Sequence, residues 1–385
     1  ASANGQDNTG HDDSFVARLT DAGSTATWNW ARQLGGAATT IEGLACTGGN
    51  LYLVGRFTQG RAVFDGITLR AGVAFDTEGW AAKLTDQGTA AATAWAYQLG
   101  GPNYDSATAI AVAGNAVYVG GYFSPPSATF GGITIAPPVA YGAHAFVTKL
   151  LDAGSTASVA WVMQAGGDWL TNVSSLAVRG ASVYVGGGFG YDSRSTSQGP
   201  TVFGSTSLRS TGEYDAFVAR LVNAGSTASF AWVVPAGGSR SEWVSSLGLS
   251  GTKVIVTGSF NSPTLALGAS TLSGTSANER SFVAQLVDAA GLAAASPAPA
   301  FGAWHLCPNP AHNTATVQLP AAAGAAPVAT LTLLDALGRP VRTETVKLVT
   351  TATTHPLSLA GLAPGLYLLR LEAGGTTATQ RLVVE

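Results

Sequence analysis

Charged side chains are scarce in this chain. Asp, Glu, Lys and Arg make up 11% of its 385 residues, which is under half the usual share, and the formal net charge is only −3. A nucleic-acid-binding surface needs a cluster of basic residues, so this composition argues against DNA or RNA as a partner. The chain also lacks any run of 18 apolar residues, so we expect no transmembrane helix.

Cysteine and histidine are also rare. The two cysteines, Cys46 and Cys307, fall in different predicted domains, and we expect two buried thiols rather than a disulfide. None of the five histidines is spaced as His-x-x-x-His or placed with cysteines or carboxylates at ligand spacing, so we predict no metal site and no cofactor. A Gly-x-Ser-x-Gly element with flanking partners is missing too. The sequence therefore shows no catalytic set, and we expect a protein that is not an enzyme.

Glycine, by contrast, is abundant. There are 49 glycines, nearly twice the usual share, and hydrophobic residues make up 46% of the chain, which argues against disorder. A long, charge-poor chain rich in glycine and small residues, with scattered aromatics, is typical of many β-strands joined by tight turns. We therefore predict an all-β protein.

Residues 13–291 contain an internal repeat. The run Ser14-Phe15-Val16-Ala17-Arg18-Leu19 recurs in related forms, and its marker aromatics are spaced by 65, 66, 71 and 65 residues. These aromatics are Phe15, Trp80, Phe146, Phe217 and Phe282. Tryptophans step with them at Trp30, Trp95, Trp161 and Trp232, and a further phenylalanine, two residues after a glycine, recurs at Phe57, Phe123, Phe189 and Phe260. A period of this length indicates an array or a propeller.

Each repeat resolves into four strands and a short β-excursion between the second and third strands. Four antiparallel strands joined by tight glycine turns are typical of a propeller blade. The segment Val117-Tyr118-Val119-Gly120-Gly121-Tyr122-Phe123 and the paired glycines after each tryptophan resemble bacterial β-propeller repeats. We predict a β-propeller-like array of four to five four-stranded blades over residues 1–292. Trp95, Trp161 and Trp232 should be buried where blades meet.

The array begins in mid-blade, at a third strand, and two interpretations remain open. In the first, residues 15–36 complete the last blade beside residues 251–260 and close a ring. In the second, an upstream half-blade is missing; residues 279–291 would be a surplus strand under simple closure, which favours this second interpretation.

The loops before the first strands differ between repeats, whereas the repeating aromatics recur as a core would. In a propeller these loops share one rim near the central channel, so polar and aromatic residues there are candidates for contact with a glycan or a surface protein. Unconstrained surface loops are the alternative. The candidate binding residues are Tyr104, Asp105, Asp168, Trp169, Arg240, Glu242 and Trp243.

The last 79 residues form a separate segment with strand periodicity and Pro-Gly turns, which predicts a small Ig-like β-sandwich over residues 307–385. An Ala/Pro-rich linker, residues 293–306, precedes it and should be extended. Three motifs occur in order: Pro308-Asn309-Pro310, then Gly338-Arg339, then Pro364-Gly365-Leu366-Tyr367. This segment resembles the C-terminal sorting domain of the type IX secretion system, also called Por secretion, of Bacteroidetes-type bacteria. An ordinary Ig-like adhesion module is the alternative.

The resemblance implies export rather than an activity. It implies recognition of this domain by the type IX secretion machinery. The residues that match the family pattern should matter for that recognition or for the fold of the domain: Pro308, Asn309, Pro310, Gly338, Arg339, Pro364, Gly365 and Tyr367. It also implies removal of the tail by a sortase-like protease, which we place between about Ala293 and Leu306. The expected location is secreted or anchored at the outer-membrane surface. We therefore expect an exported, non-enzymatic adhesion or binding module. The alternatives are a secreted propeller enzyme acting on polysaccharide and a scaffold without a ligand.

Overall fold

The predicted all-β fold class is confirmed. The computed structural model describes residues 14–36, 38–58, 60–72, 76–124, 126–139, 141–167, 169–191, 199–274, 278–288, 304–319, 328–335, 339–347, 353–373 and 376–385, and the regular elements in them are strands. The chain divides into two compact domains, residues 1–292 and 293–385. We call the first the repeat domain and the second the C-terminal domain. Asp168 and Gly338 lie outside the described residues.

The repeat domain contains four successive antiparallel repeats. Repeat 1 consists of β3 (Thr39–Thr47), β4 (Asn50–Phe57), β7 (Glu78–Asp86) and β8 (Ala91–Gly100). Repeat 2 consists of β9 (Ser106–Ala113), β10 (Ala116–Phe123), β13 (His144–Asp152) and β14 (Ala157–Gly166). Repeat 3 consists of β15 (Leu170–Arg179), β16 (Ser182–Gly190), β19 (Tyr214–Asn223) and β20 (Ala228–Ala236). Repeat 4 consists of β21 (Glu242–Ser250), β22 (Lys253–Phe260) and β25 (Arg280–Val287). An N-terminal hairpin, β1 (Phe15–Asp21) and β2 (Ala26–Gln33), corresponds to a third and a fourth strand.

The sheet order follows the predicted strand order, from the first strand to the fourth. The short excursion, however, does not stay within its own repeat. Its hairpins are β5 (Arg61–Phe64) with β6 (Ile67–Arg70), β11 (Ala128–Phe130) with β12 (Ile133–Ile135), β17 (Thr201–Phe203) with β18 (Thr206–Leu208), and β23 (Thr264–Leu267) with β24 (Ser270–Ser273). The hairpin β11–β12 extends the sheet of repeat 1 by pairing with β8, and β17–β18 extends repeat 2 by pairing with β14. Single bridges attach the other two hairpins in the same way. Each excursion therefore fastens one repeat to the preceding one.

Close backbone contact requires the glycine that precedes, by two residues, the recurring phenylalanine at the end of each second strand (Phe57, Phe123 and Phe189). At Gly55, Gly121 and Gly187 an added Cβ would lie 1.9 Å from a backbone carbonyl oxygen of the first strand. No side chain can fit at that distance, so this glycine permits the first and second strands to approach. The register shift in the same strand pair, between Ile41 and Gly43 in repeat 1, marks a β-bulge there.

Neighbouring repeats are joined by a polar ladder inside an apolar interface. The indole Nε1 of Trp95 donates to Asp152 Oδ1 of the next repeat at 3.0 Å, and Lys83 Nζ lies 2.7 Å from Asp152 Oδ2. One repeat further on, Trp161 donates to Asn223 Oδ1 at 3.0 Å. Trp95 and Trp161 are each only 4% exposed, which confirms the prediction that they are buried between repeats.

Trp232 differs from the two buried tryptophans, because it is only partly buried against the last core cluster.

The prediction of buried cysteines was wrong. Cys46 and Cys307 are both free and exposed. Cys46 lies on β3, the first strand of repeat 1, on a face that is open in the described part of the chain, and Leu44 is exposed on that face too.

The ring closure considered from the sequence is not the arrangement observed. It required β1 to pair with the edge of β22, but β25 occupies that edge from Lys253 opposite Val287 to Phe260 opposite Arg280. The strand β1 pairs only with β2 among the described residues, and its marker Phe15 is 69% exposed. The last repeat consequently has three strands in the described part of the chain, with β25 at the edge of the sheet.

The C-terminal domain is a β-sandwich, as predicted. One sheet contains β26 (His305–Cys307), β27 (Thr314–Leu319) and β30 (Thr353–Ser358). The other contains β28 (Val328–Leu334), β29 (Pro340–Lys347), β31 (Gly365–Ala373) and β32 (Thr376–Val384). Alternate residues of both sheets, including Val317, Leu331 and Leu369, are buried in one core.

Candidate functional sites

The loops that precede first strands do come together with loops of the neighbouring repeat. Parallel bridges join Thr77 to Tyr104, Ala143 to Leu170 and Tyr214 to Ser241. Each bridge links the residues that lead into a third strand with those that lead into the first strand of the next repeat. We call the loop surface at this end of the strands the rim.

Aromatic side chains mark the rim at three successive junctions, and those at the first two junctions are exposed. Tyr104 is 62% exposed, Trp169 is 38% exposed and Tyr141 is also exposed. At the third junction Trp243 lies against Tyr214, with ring centroids 5.0 Å apart and planes inclined by 32°. Sequence comparison of first-strand loops identified Tyr104, Trp169 and Trp243, but it missed Tyr141 and Tyr214. These two lie five and three residues before their marker aromatics, so alignment of the repeats gives no signal for them.

Two of the predicted rim contacts, Asp105 and Glu242, are instead fully buried. Asp105 accepts backbone N–H groups of Gly101 at 2.6 Å and Ser124 at 2.9 Å, so its carboxylate closes two loops. Glu242 accepts the N–H of Gly238 at 2.7 Å. The prediction that Asp105 and Glu242 contact a ligand at the surface was therefore wrong. Their carboxylates point inward because they accept hydrogen bonds from backbone N–H groups of the loops.

Arg240 is the polar rim candidate that remains on the surface. Its side chain is exposed, and its backbone N–H donates to Ser262 Oγ at 2.8 Å, which fixes the loop. The Trp243–Tyr214 pair lies at the same junction.

Burial strongly perturbs the carboxyl groups beneath the rim. It raises the pKa of Asp105 to about 8 and the pKa of Glu78, at the start of β7, to about 7, with a smaller contribution from repulsion by Asp76. Burial also raises the pKa of Asp215 and of Glu242 two junctions further on. Glu78 and Asp105 form a pair of acidic groups, but both are at most 2% exposed. Both carboxyl groups are therefore enclosed by the fold, and this burial is what raises their pKa values.

A metal site is not seen in the part of the chain that the structure describes, where no group of three or more His, Cys, Asp or Glu side chains is arranged to hold an ion. His144, which starts β13, is buried, and burial lowers its pKa. Its Nε2 lies 3.1 Å from the carbonyl oxygen of Tyr141, which holds the ring beneath the exposed tyrosine.

Sequence reasoning did not foresee a groove of about 560 Å³ between repeats 3 and 4. Its walls are apolar and come from β20, from the hairpin β23–β24 and from β25. The residues include Val234, Pro235, Ala236, Ala266, Leu267, Phe282, Ala284 and Leu286. It runs along the edge of β25, where every complete repeat has a fourth strand.

The C-terminal domain places the predicted sorting residues in definite structural roles. Asn309 Nδ2 donates to the carbonyl oxygen of Arg381 at 2.7 Å, and Asn309 Oδ1 accepts the N–H of Val383 at 2.9 Å. One amide side chain thus holds the last strand, and the exposed Pro308 and Pro310 flank it.

Residues of the second and third motifs make local hydrogen bonds. The Nε of Arg339 lies 2.8 Å from Asp335 Oδ2, which links the residue after β28 to the residue before β29. The Tyr367 hydroxyl donates to the carbonyl oxygen of Ala363 at 2.9 Å, which fastens the turn containing Pro364 and Gly365.

Comparison with known proteins identifies one part of the chain. Residues 305–385 match the family model described as the secretion system C-terminal sorting domain. A comparison of the whole chain with curated proteins gives no match.

Among solved structures, a crystal structure of dimeric latent PorU from Porphyromonas gingivalis is similar at 11% sequence identity, with a TM-score of 0.19. The alignment covers 90% of this chain but 33% of that one, so this chain spans about one third of the length of PorU.

Within the described residues, no helix has the length and apolar character to cross a bilayer. The sorting-domain match, the ordered motifs and the sandwich fold lead to the same conclusion. The protein carries at its C-terminus a sorting domain of the Bacteroidetes-type type IX secretion system, which engages that machinery and directs export across the outer membrane to a secreted or surface-attached location.

Proposed function

We propose that the repeat domain is a non-enzymatic binding module that the sorting domain delivers to the cell exterior, and that its rim binds glycans. The observation that carries this proposal is the row of aromatic side chains at three consecutive repeat junctions, which are exposed at the first two and form the partly buried Trp243–Tyr214 pair at the third. The junctions repeat along the array, so a ligand that itself repeats can contact several of them at once.

The physical argument rests on what each junction offers. The bridges between repeats hold the rim loops on a rigid scaffold, so little conformational entropy is lost when a ligand binds. Flat aromatic faces such as that of Trp169 provide apolar contact for the face of a sugar ring, and Arg240 provides hydrogen-bond donors for its hydroxyl groups. Large exposed aromatics in a soluble domain are otherwise unfavourable, which supports a role in recognition.

Glycan-array binding by the exported protein tests the proposal. Trp169→Ala and Trp243→Ala should each weaken binding at least about tenfold, because aromatic contacts dominate such interfaces. Trp28→Ala removes a more exposed tryptophan that lies outside the rim and is the control, with no expected change in glycan binding. Absence of binding to any glycan would instead favour a scaffold without a ligand.

A polysaccharide-degrading enzyme is the competing function. Glycoside hydrolysis needs two carboxyl groups facing the substrate, whereas Glu78 and Asp105 face the interior. Turnover of a polysaccharide that disappears in Asp105→Ala, with the fold retained, would overturn the non-enzymatic assignment.

We further propose that a sortase-like protease removes the C-terminal domain after export. The sequence placed the cut between about Ala293 and Leu306, and residues 289–303 lie outside the described residues. Trp304 is buried and its carbonyl oxygen accepts from Gln380 Nε2 at 2.6 Å, while Leu306 is paired within β26. Cleavage needs accessible backbone, so the cut falls before Trp304. Mass spectrometry of the secreted protein should find its last residue between 293 and 303; a C-terminus beyond 304 would contradict this.

A further inference from the structure

Two strands at opposite ends of the repeat domain have nearly the same sequence. Ser14 to Asp21 reads Ser-Phe-Val-Ala-Arg-Leu-Thr-Asp, and Ser281 to Asp288 reads Ser-Phe-Val-Ala-Gln-Leu-Val-Asp. Both are third strands of the repeat. The second is paired with β22, where Ser259 lies opposite Ser281 and Gly258 opposite Phe282. The first has the same alternation of side chains and can satisfy the same register.

The N-terminal hairpin exposes the side chains that other repeats bury. Phe15, Leu19 and Trp28 are 69%, 45% and 67% exposed. Their equivalents in repeat 3 are Phe217, Leu221 and Phe230, and all three pack into the core cluster that repeat 3 shares with repeat 2. Among the described residues, the hairpin therefore presents an exposed apolar face equivalent to the face by which repeat 3 packs on repeat 2.

Repeat 4 has open space at the position where other repeats receive such a side chain. At the turns of the hairpins β11–β12 and β17–β18, an added Cβ on Gly131 would meet Val159 at 2.7 Å, and one on Gly204 would meet Phe230 at 3.3 Å. At the equivalent Gly268 nothing lies within 4 Å. Val159 and Phe230 sit 13 residues after their marker aromatics, which is the position of Trp28 in the hairpin. The groove of about 560 Å³ therefore lies where the equivalent side chains, Val159 and Phe230, pack in repeats 2 and 3.

We propose that β1 competes with β25 for the edge of β22, so that the repeat domain exchanges between the open array described above and a closed form. In the closed form β1 pairs with β22, β2 becomes the fourth strand of repeat 4, and Trp28 fills the groove beside Gly268. Arg18 and Trp30 keep their contacts with Asp86 of repeat 1, at 2.8 and 3.0 Å, because they face the other way.

The polar ladder is also preserved in the closed form. Asp288 at the end of β25 accepts from the Tyr184 hydroxyl at 2.7 Å and pairs with Arg220 at 3.4 Å. Asp21 is the residue of β1 at the same position and is exposed in the open array, so it can take both contacts. Displacement of β25 in turn frees the chain from Arg280 onward, which lengthens the connection to the C-terminal domain.

Disulfide trapping in the full chain, with Cys46→Ser and Cys307→Ser, separates the two forms. The pair Ser259→Cys with Ser281→Cys traps the open array, in which these residues are directly opposed. The pair Ser259→Cys with Ser14→Cys traps the closed form, because Ser14 is the equivalent of Ser281. We expect both disulfides in monomers separated by size exclusion, identified by mass spectrometry of tryptic peptides.

Trp28→Ala distinguishes the proposed packing from chance collision. It should lower the yield of the disulfide between positions 14 and 259 at least about tenfold, because the packing of Trp28 in the closed form is lost. It should leave the disulfide between positions 281 and 259 unchanged, because Trp28 is solvent-exposed in the open array. Phe282→Ala should shift the ratio in the opposite direction. The proposal is overturned if the Ser14 disulfide does not form, if Trp28→Ala leaves it unchanged, or if it forms only in dimers, since a second copy would then supply the hairpin.

Discussion

Replacement of Trp161 tests whether the recurring tryptophan holds the repeats together. The side chain is 4% exposed, its ring centroid lies 6.0 Å from that of Tyr118, and its Nε1 donates to Asn223 of the next repeat. Truncation of a buried tryptophan to alanine typically costs about 3–5 kcal/mol. The loss also leaves one acceptor position of Asn223 without its donor, which costs about 1 kcal/mol. Trp161→Ala should therefore destabilise the repeat domain by about 4–6 kcal/mol.

Urea unfolding followed by circular dichroism measures this loss as a lower transition midpoint. Trp161→Phe is the first comparison: it keeps most of the apolar contact but not the hydrogen bond, so it should cost about 1–2 kcal/mol. Trp169→Ala is the second, because Trp169 lies on the rim and should cost less than about 1 kcal/mol. Equal midpoints for Trp161→Ala and Trp169→Ala would refute the assignment of Trp161 to the core between repeats.

Three further predictions concern groups that the fold buries or pins. Burial raises the pKa of Asp105 from 3.8 to about 8, so the folded state holds its proton more tightly than the unfolded chain does. The stability that this provides is complete below about pH 4 and is lost as the pH rises to about 8. The urea midpoint should therefore fall between about pH 4 and 8, and Asp105→Asn should flatten that fall. Lys83→Met leaves the carboxylate of Asp152 buried without its cation and should lower the free energy of unfolding by about 3–5 kcal/mol. Asp152→Asn should lower it by less. Equal losses of stability in the two variants would contradict the role of the ion pair. Asn309→Ala removes two hydrogen bonds to the last strand. It should lower both the melting temperature of the C-terminal domain, measured by scanning calorimetry, and the fraction of protein secreted. Unchanged secretion at a lowered melting temperature would show that recognition does not depend on this stabilisation of the fold.

The sequence was sufficient for features that recur. The period of the aromatics predicted the four strands of each complete repeat, because strand alternation and glycine turns are local signals. The burial of Trp95 and Trp161 followed from their recurrence at every junction. Likewise, the ordered Pro-Asn-Pro, Gly-Arg and Pro-Gly motifs identified the sorting domain without any long-range information.

Features that depend on pairing between repeats could not be predicted in this way. The attachment of the β11–β12 hairpin to β8 joins residues about 30 positions apart, and nothing in the local sequence specifies that partner. The occupation of the β22 edge by β25 rather than β1 is a competition between nearly identical strands, so the sequence alone cannot decide it.

The candidate site shows the same limit. Tyr104 and Trp169 are exposed, as expected for side chains on loops. Asp105 has an equally polar neighbourhood in the sequence, yet it is buried because two backbone N–H groups converge on its carboxylate. Whether a loop carboxylate faces solvent or closes the loop is set by the fold of the loop, which residue type does not reveal.

Export of the intact chain is the most direct test of the central claim that residues 305–385 are an export signal. The full chain and a form ending at residue 292 would each be given a signal peptide for delivery to the periplasm, in a host with a type IX secretion system. We predict that the full chain reaches the medium or the cell surface and that the shortened form stays in the periplasm. Equal export of both forms, or retention of both with the host's own type IX substrates still secreted, would contradict the account.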